Sequence, residues 1–141
     1  MDIKECAKFA NENKNCYLAT VEGDQPRVRV LGMWFADETG FYFQSQSCKA
    51  ICQQLQKNNK VEGYFASKDF SKVMRVSGKV KFVDDVPLRT RCIQERPNVR
   101  KLGITEPGTP LLSVFHLYTG EAYFWTFADS MKEANIPRIK F

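Results

Sequence analysis

The segment from Phe41 to Gln56 reads FYFQSQSCKAICQQLQ and concentrates hydrogen-bond donors at one point of the chain. A β-like apolar run is followed by the polar residues Gln44, Ser45 and Ser47. A helical pattern then begins around Lys49. Since a helix start leaves backbone N–H groups unpaired and carries the positive end of the helix dipole, it favours an anion. Hydroxyls, amides and one ammonium at that point are suited to binding a phosphate group.

More positive charge lies on the preceding predicted strand. Apolar and basic residues alternate there, which places Arg27, Arg29 and Leu31 on one face. A guanidinium can bind a phosphate through two parallel hydrogen bonds, so Arg29, and with it Arg27, is a candidate ligand for the same anion. The same residue types also allow a simpler interpretation, in which Ser47 only caps the helix and the basic side chains are solvated.

The chain length of 141 residues suits one domain, 1–141, with a substantial core. Hydrophobic residues make up 43% and charged residues 26%, which is ordinary globular usage. No apolar run is long enough to span a bilayer, and the first residues are too polar for a signal peptide. These features predict a soluble, cytoplasmic protein with no membrane partner.

The net charge of +5 suits an anionic partner, but the basic residues are spread along the chain, so a nucleic-acid partner is not predicted. The five cysteines form no C-x-x-C pair, and His116 is the single histidine. We therefore expect free thiols in a reducing compartment and no metal site. His116 lies in an apolar run and is expected to be structural. The cysteines are Cys6, Cys16, Cys48, Cys52 and Cys92.

Hydrophobic periodicity and turn residues divide the chain into elements. The predicted helices run from a capping box at Asp2–Glu5 to between Asn13 and Asn15, from about Ser47 to Asn58, and from a start at Asp84–Pro87 to Pro97. The predicted strands are Cys16–Val21, Arg27–Phe35, Phe41–Ser45, Val61–Ser67, Val73–Val83, and a closing hairpin of Leu112–Leu117 and Glu121–Phe127.

About seven strands, three helices and mostly hairpin connections predict a mainly β domain, with an antiparallel barrel and helices packed outside it. Gly78 is expected at a bulge or barrel corner. A doubly wound α/β sheet is disfavoured because strands often follow strands directly and no G-x-G-x-x-G motif follows any of them.

Four motifs, in order, are N-x-x-C-Y-L-A-T-V, P-R-V-R-V, F-Y-F-Q-S-Q-S-C-K and R-V-S-G-K-V-K-F-V-D-D. Their order and spacing from Asn13 to Asp85 resemble the FMN-binding split-barrel family, the pyridoxamine 5′-phosphate oxidase-like proteins. The resemblance implies an antiparallel Greek-key split β-barrel. It also implies a homodimer with FMN at the subunit interface.

The resemblance also implies roles for individual residues. Arg29 matches the strand arginine that contacts the flavin phosphate, and Gln44 and Ser45 match the polar pair at a strand end. Ser47 and Lys49 match the phosphate-binding serine and lysine at the helix start. Trp125 or Phe127 of the partner subunit matches the aromatic that covers the flavin. The backbone expected beside the isoalloxazine edge is that of Val30, Leu31, Gly32 and Met33.

Departures from the family limit the expected activity. The oxidases themselves have a longer C-terminal region, and Val73 stands where they have a flavin-binding glutamine, so oxidation of pyridoxamine phosphate is not expected. The predicted function is a flavin-dependent oxidoreductase that uses a small-molecule substrate or a reduced nicotinamide, with its catalytic residues unassigned. The alternative is a non-catalytic protein that carries a flavin, haem or deazaflavin.

Overall fold

The structure is a computed structural model that describes residues 2–141. Within that range the helices are α1 (Ile3–Glu12), α2 (Ala50–Lys57), α3 (Val86–Glu95) and α4 (Pro97–Lys101). The strands are β1 (Asn15–Glu22), β2 (Gln25–Gly32), β3 (Phe35–Asp37), β4 (Gly40–Gln46), β5 (Lys60–Ala66), β6 (Lys72–Phe82), β7 (Leu112–Thr126) and β8 (Ile139–Lys140). No helix in this range is both long and apolar enough to cross a bilayer.

The strands form one antiparallel sheet in the order β2-β1-β5-β6-β7-β4-β3, with β8 paired to β7. Its two edges, β2 and β3, are consecutive in sequence, so the sheet curls but does not close. α1 packs beside β3, where the Asn11 side-chain amide exchanges two hydrogen bonds of 2.8 and 2.9 Å with the backbone of Ala36. The predicted mainly β, antiparallel architecture is confirmed, with one strand and one helix more than expected. The single strand predicted over Arg27–Phe35 is wrong, because the chain leaves the sheet after Gly32 and β3 begins at Phe35 on the opposite edge.

The capping box at the start of α1 is also confirmed. The Asp2 carboxylate accepts from the Glu5 N–H, and the Glu5 carboxylate accepts from the Asp2 N–H, both at 3.1 Å. Cys6, Ala7 and Ala10 then fall on one buried face. This small-residue face lets α1 lie close against the barrel.

Two apolar clusters lie on opposite faces of the sheet. The barrel interior is filled by large side chains such as Phe41, Phe43 and Phe115, each 0% exposed. A smaller cluster around Trp34 and Cys92 packs α3 and α4 against the outer face of β4 and β7. The first half of β7 is therefore buried on both faces, and its first six residues are all buried rather than alternately buried and exposed.

The predicted closing hairpin is wrong, because β7 is one unbroken strand of 15 residues paired along β6. Gly120 does not form a turn; it lies opposite Gly78 where the two backbones nearly touch. A Cβ on Gly78 would lie 2.0 Å from the Thr119 carbonyl oxygen, so both glycines are needed for this approach. The register shift between Lys79 and Val80 confirms the bulge expected beside Gly78.

Other boundaries also differ from the predictions. α2 begins at Ala50, so Lys49 is its N-cap residue, not a member of its first turn. Pro97 ends α3 as expected but then starts α4, since proline suits a first helical position. The C-terminal tail, for which no element was predicted, adds β8 to the sheet.

Candidate functional site

The corner where β4 leads into α2 contains an unsatisfied buried hydroxyl. Ser45 is 2% exposed, and its Oγ makes no hydrogen bond to any residue in the range 2–141. Most buried polar atoms in folded proteins have a partner, so such an exception requires a reason. A bound ligand that supplies the missing partner is one such reason.

The start of α2 also lacks a side-chain cap. Its N-cap residue, Lys49, makes no side-chain capping bond, and the first turn contains no acidic residue. The Ser47 N–H donates to the Leu111 carbonyl at 2.9 Å, whereas its hydroxyl has no partner among the described residues. Unpaired N–H groups, a free hydroxyl and an ammonium therefore coincide at one helix terminus, where an anion is favoured.

Arg29 projects from β2 toward α2. Its guanidinium donates to the Leu18 carbonyl at 3.2 Å, to Thr20 Oγ1 at 2.8 Å and to Gln54 Oε1 at 2.6 Å. Burial lowers the pKa of Arg29, and no described carboxylate forms a salt bridge with it. Gln54 lies five residues beyond Lys49, about 7.5 Å along the α2 axis. Arg29 therefore brings an uncompensated charge to the same helix.

Arg27 lies on the same face of β2 but has a different environment. Its guanidinium forms a 3.0 Å salt bridge with Glu22, and both side chains are about half exposed. The charge of Arg27 is thus neutralised within the chain. Of the two arginines, Arg29 has the charge that remains available to a ligand.

The chain segment that runs through β4 and α2 lacks negative side chains. From Thr39 to Val61, 23 consecutive residues include no aspartate or glutamate but contain Lys49, Lys57 and Lys60. A doubly negative ligand would therefore meet cations and neutral donors on β4 and α2. The donor set fits a phosphate group.

The unpaired edge of β2 offers backbone groups beside this corner. The Met33 N–H donates to the Lys14 carbonyl at 2.8 Å and so points toward β1. Because hydrogen-bonding direction alternates along a strand, the N–H groups of Val30 and Gly32 point to the free edge, and that of Leu31 is used by β1. Only two of the four predicted backbone positions therefore present a free donor.

Arg96 contacts three of the predicted site residues, although no sequence pattern indicated it. It donates to the Gly32 carbonyl at 3.1 Å, to the Met33 carbonyl at 3.3 Å and to Gln44 Oε1 at 3.2 Å. Its position at the α3–α4 junction is 52 residues from Gln44 in sequence, so no local motif connects the two. Burial lowers the pKa of Arg96.

Residues 3–126 match the family model described as pyridoxamine 5′-phosphate oxidase. The chain belongs to the pyridoxamine 5′-phosphate oxidase family. The resemblance noted from the four motifs is thus confirmed. No curated protein matches the sequence.

Solved structures agree with this family and with the split-barrel fold. A NimC/NimA family protein from Clostridium acetobutylicum is 26% identical, with a TM-score of 0.80 over 99% of this chain and 93% of that one. General stress protein 26 from Bacillus anthracis is 14% identical, with a TM-score of 0.76 over 100% of both chains. A pyridoxamine 5′-phosphate oxidase-related, FMN-binding protein from Nostoc punctiforme is 16% identical, with a TM-score of 0.73 over 97% of this chain and 94% of that one.

The two aromatic residues predicted to cover the flavin do not lie at the corner of their own chain. Trp125 is partly buried on β7 opposite Val73, and Phe127 is 84% exposed. β7 borders the corner only at its start, where Leu112 pairs with Gln46 of β4, and Trp125 lies 13 residues further along the strand. Neither aromatic is brought to Arg29 by its own chain, so their predicted role depends on a second subunit.

His116 is held by structural contacts. Its Nε2 donates to the Thr39 carbonyl at 2.8 Å, and its ring stacks on Tyr42 with centroids 3.9 Å apart. Burial lowers the pKa of His116, so the neutral ring is favoured. These contacts match the structural role expected from its apolar surroundings.

All five thiols are free, and no group of three or more metal-ligating side chains occurs among residues 2–141. Burial raises the pKa of Cys16 to about 12 and that of Cys6 and Cys92 to about 11. These three thiols are therefore protonated and unreactive at neutral pH. Cys48, next to Lys49, is exposed.

Proposed function

We propose that the chain binds FMN as a single domain and is a flavin-dependent oxidoreductase that acts on a small molecule. The observation that carries the proposal is the set of uncompensated donors at the start of α2: Arg29, Lys49 and the orphaned hydroxyl of Ser45. Membership of the family and the FMN-binding relative from Nostoc punctiforme support the choice of flavin.

Each part of the corner would hold a different part of the cofactor. Arg29 and Lys49 would neutralise the phosphate dianion, while Ser47 and the first N–H groups of α2 would complete its hydrogen bonds. The free N–H groups of Val30 and Gly32 would face the acceptor atoms along the ring edge. When bound, FMN would supply hydride or electron transfer, and these residues would orient it and exclude water.

We also propose that two copies of the chain form a dimer. The outer face of the sheet exposes the apolar side chains of Tyr17 (41%), Val28 (70%) and Val30 (53%) beside the free edge of β2. Contiguous exposed apolar residues commonly mark an interaction surface. We expect a homodimer in which Trp125 of each subunit reaches the other subunit's flavin. Sedimentation as a monomer that still binds FMN would contradict this arrangement.

β4, α2 and the segment between them contain cations, hydroxyls and amides, but no carboxylate or histidine. We therefore assign no catalytic acid or base, since the redox chemistry belongs to the flavin. The same composition also suits the second candidate function, a flavin carrier that turns over no substrate. The five free thiols favour a reducing compartment, and we propose the cytoplasm.

The purified protein provides the first test. A flavin absorbance near about 450 nm, or quenching of added FMN fluorescence with 1:1 stoichiometry per chain, is expected. A protein that binds no FMN would refute the proposal, and a Soret band would indicate haem instead. Anaerobic titration with reduced nicotinamides then separates enzyme from carrier, because only the enzyme is expected to bleach the flavin absorbance.

A further inference from the structure

Arg96 connects two strands at the edge of the proposed site. The residue caps the C-terminus of α3 and precedes α4, and its side chain reaches the ends of β2 and β4. Three nitrogens of the guanidinium each donate one hydrogen bond, to Gly32 O, Met33 O and Gln44 Oε1. One side chain thus holds the end of β2 at a set distance from β4.

These bonds also determine which way the Gln44 amide faces. Because a guanidinium has donors and no acceptor, the atom of Gln44 nearest Arg96 must be its carbonyl oxygen. The NH2 group of Gln44 is left without a partner among the described residues. Arg96 thereby leaves the NH2 group of Gln44 free to donate a hydrogen bond, as the N–H of Gly32 also is.

The positive charge of Arg96 is not neutralised within residues 2–141. All its hydrogen-bond partners are neutral oxygens, and no described carboxylate forms a salt bridge with it. Its neighbour Glu95 is bound by Arg91 at 2.6 Å and by the Trp34 indole N–H at 3.1 Å. A half-buried, unpaired charge acts on its surroundings more strongly than one in water.

We propose that Arg96 is a positioning residue of the flavin site, which aligns the β2 edge and the Gln44 amide with the ring and stabilises negative charge on the reduced flavin. The proposal rests on the proposed FMN function. A cation held beside the ring favours the reduced form over the oxidised form and so raises the midpoint potential. Loss of the guanidinium should therefore lower both FMN affinity and midpoint potential.

Three variants test the two roles separately. Arg96→Met removes the charge and the hydrogen bonds, and Arg96→Lys keeps the charge but cannot reach all three acceptors. Arg91→Met is the matched control, since it removes a nearby arginine, in α3, whose charge Glu95 already compensates. For each variant, oxidised FMN is titrated by fluorescence, and the midpoint potential is measured against a reference dye. Thermal unfolding of the apoprotein checks that each variant folds.

For Arg96→Met we expect about tenfold weaker binding of oxidised FMN and a further tenfold weaker binding of reduced FMN, which lowers a two-electron potential by about 30 mV. Arg96→Lys should lose affinity but keep most of the potential. Arg91→Met should change neither quantity.

Wild-type affinity and potential in Arg96→Met, or an equal drop in Arg91→Met, would overturn the role of Arg96 and leave the FMN proposal intact. If Arg96→Met does not fold, unchanged affinity in Arg96→Lys overturns the positioning role. A wild-type protein that binds no FMN would overturn both proposals.

Discussion

Arginines in two regions of this molecule differ in whether a carboxylate neutralises their charge. On the outer face of the sheet, Arg75 forms a 2.9 Å salt bridge with Glu133 and a 3.1 Å hydrogen bond with the Tyr123 hydroxyl. Burial alone would lower the pKa of Arg75, but its hydrogen bond to Tyr123 and the nearby acidic groups raise it. At the corner of β2, β4 and α2, Arg29 and Arg96 contact only neutral oxygens, and burial lowers the pKa of both.

The difference shows which charges the fold satisfies internally. Arg75 has its counter-charge within the chain, so it can contribute to stability. Arg29 and Arg96 are partly desolvated without a counter-charge, which costs folding free energy. Such a cost is commonly found where a ligand completes the electrostatics, and this contrast supports the anion site that we propose at the corner.

The largest expected loss of affinity for oxidised FMN is in Arg29→Ala. Loss of a charge-assisted contact to a partly buried phosphate should cost about 2 kcal/mol, roughly a 30-fold higher Kd. Arg27→Ala removes an equal charge that Glu22 already neutralises, so we expect less than about a threefold change. Fluorescence titration with FMN measures both variants. Equal losses in the two would remove the distinction between compensated and uncompensated arginines.

Lys49→Ala should weaken FMN binding by about tenfold, because an exposed ammonium is partly screened by solvent. Lys57→Ala, at the other end of α2, is the matched control and should bind as the wild type does. The wild-type Kd should rise with ionic strength, and Lys49→Ala should reduce this salt dependence. The same salt dependence in Lys49→Ala and in the wild type would place Lys49 outside the phosphate site.

Arg75→Met tests the region in which Glu133 neutralises the arginine, and it should lower the stability of the fold. A partly exposed salt bridge contributes up to about 1 kcal/mol, so we expect the apoprotein to melt about 2–4 °C lower. Thermal unfolding of the wild type, the two single variants Arg75→Met and Glu133→Gln, and the double variant forms a double-mutant cycle that isolates the interaction energy of the pair. Additive effects of the two substitutions would show that this ion pair contributes nothing.

His116→Gln should have the smallest effect, on the pH dependence of stability. Because burial lowers the pKa of folded His116 below its unfolded value, the unfolded chain binds the proton more readily. The free energy of unfolding should therefore fall as pH drops below about 6.5, by less than about 1 kcal/mol from this residue. Urea denaturation between about pH 5 and 8 should show a flatter profile in the variant. An identical profile would exclude His116 as the titrating group.

Local signals in the sequence predicted several elements correctly, and one error shows their limit. The capping box at Asp2 and the alternation in β2 depend on residues only a few positions apart, so the sequence alone reveals them. The predicted turn at Gly120 was wrong because glycine also serves close backbone contact, and only the pairing with Gly78 on β6 distinguishes the two uses.

What the sequence by itself determined is the mainly β architecture, the family, and a cluster of donors at the start of α2. These follow from short-range patterns and from an ordered set of motifs. The tertiary structure alone decided which of two neighbouring arginines keeps a free charge and which strand-edge amides stay unpaired. It also decided that Arg96 binds the ends of β2 and β4. Compensation of charge depends on contacts between residues distant in sequence, and no local pattern encodes such contacts.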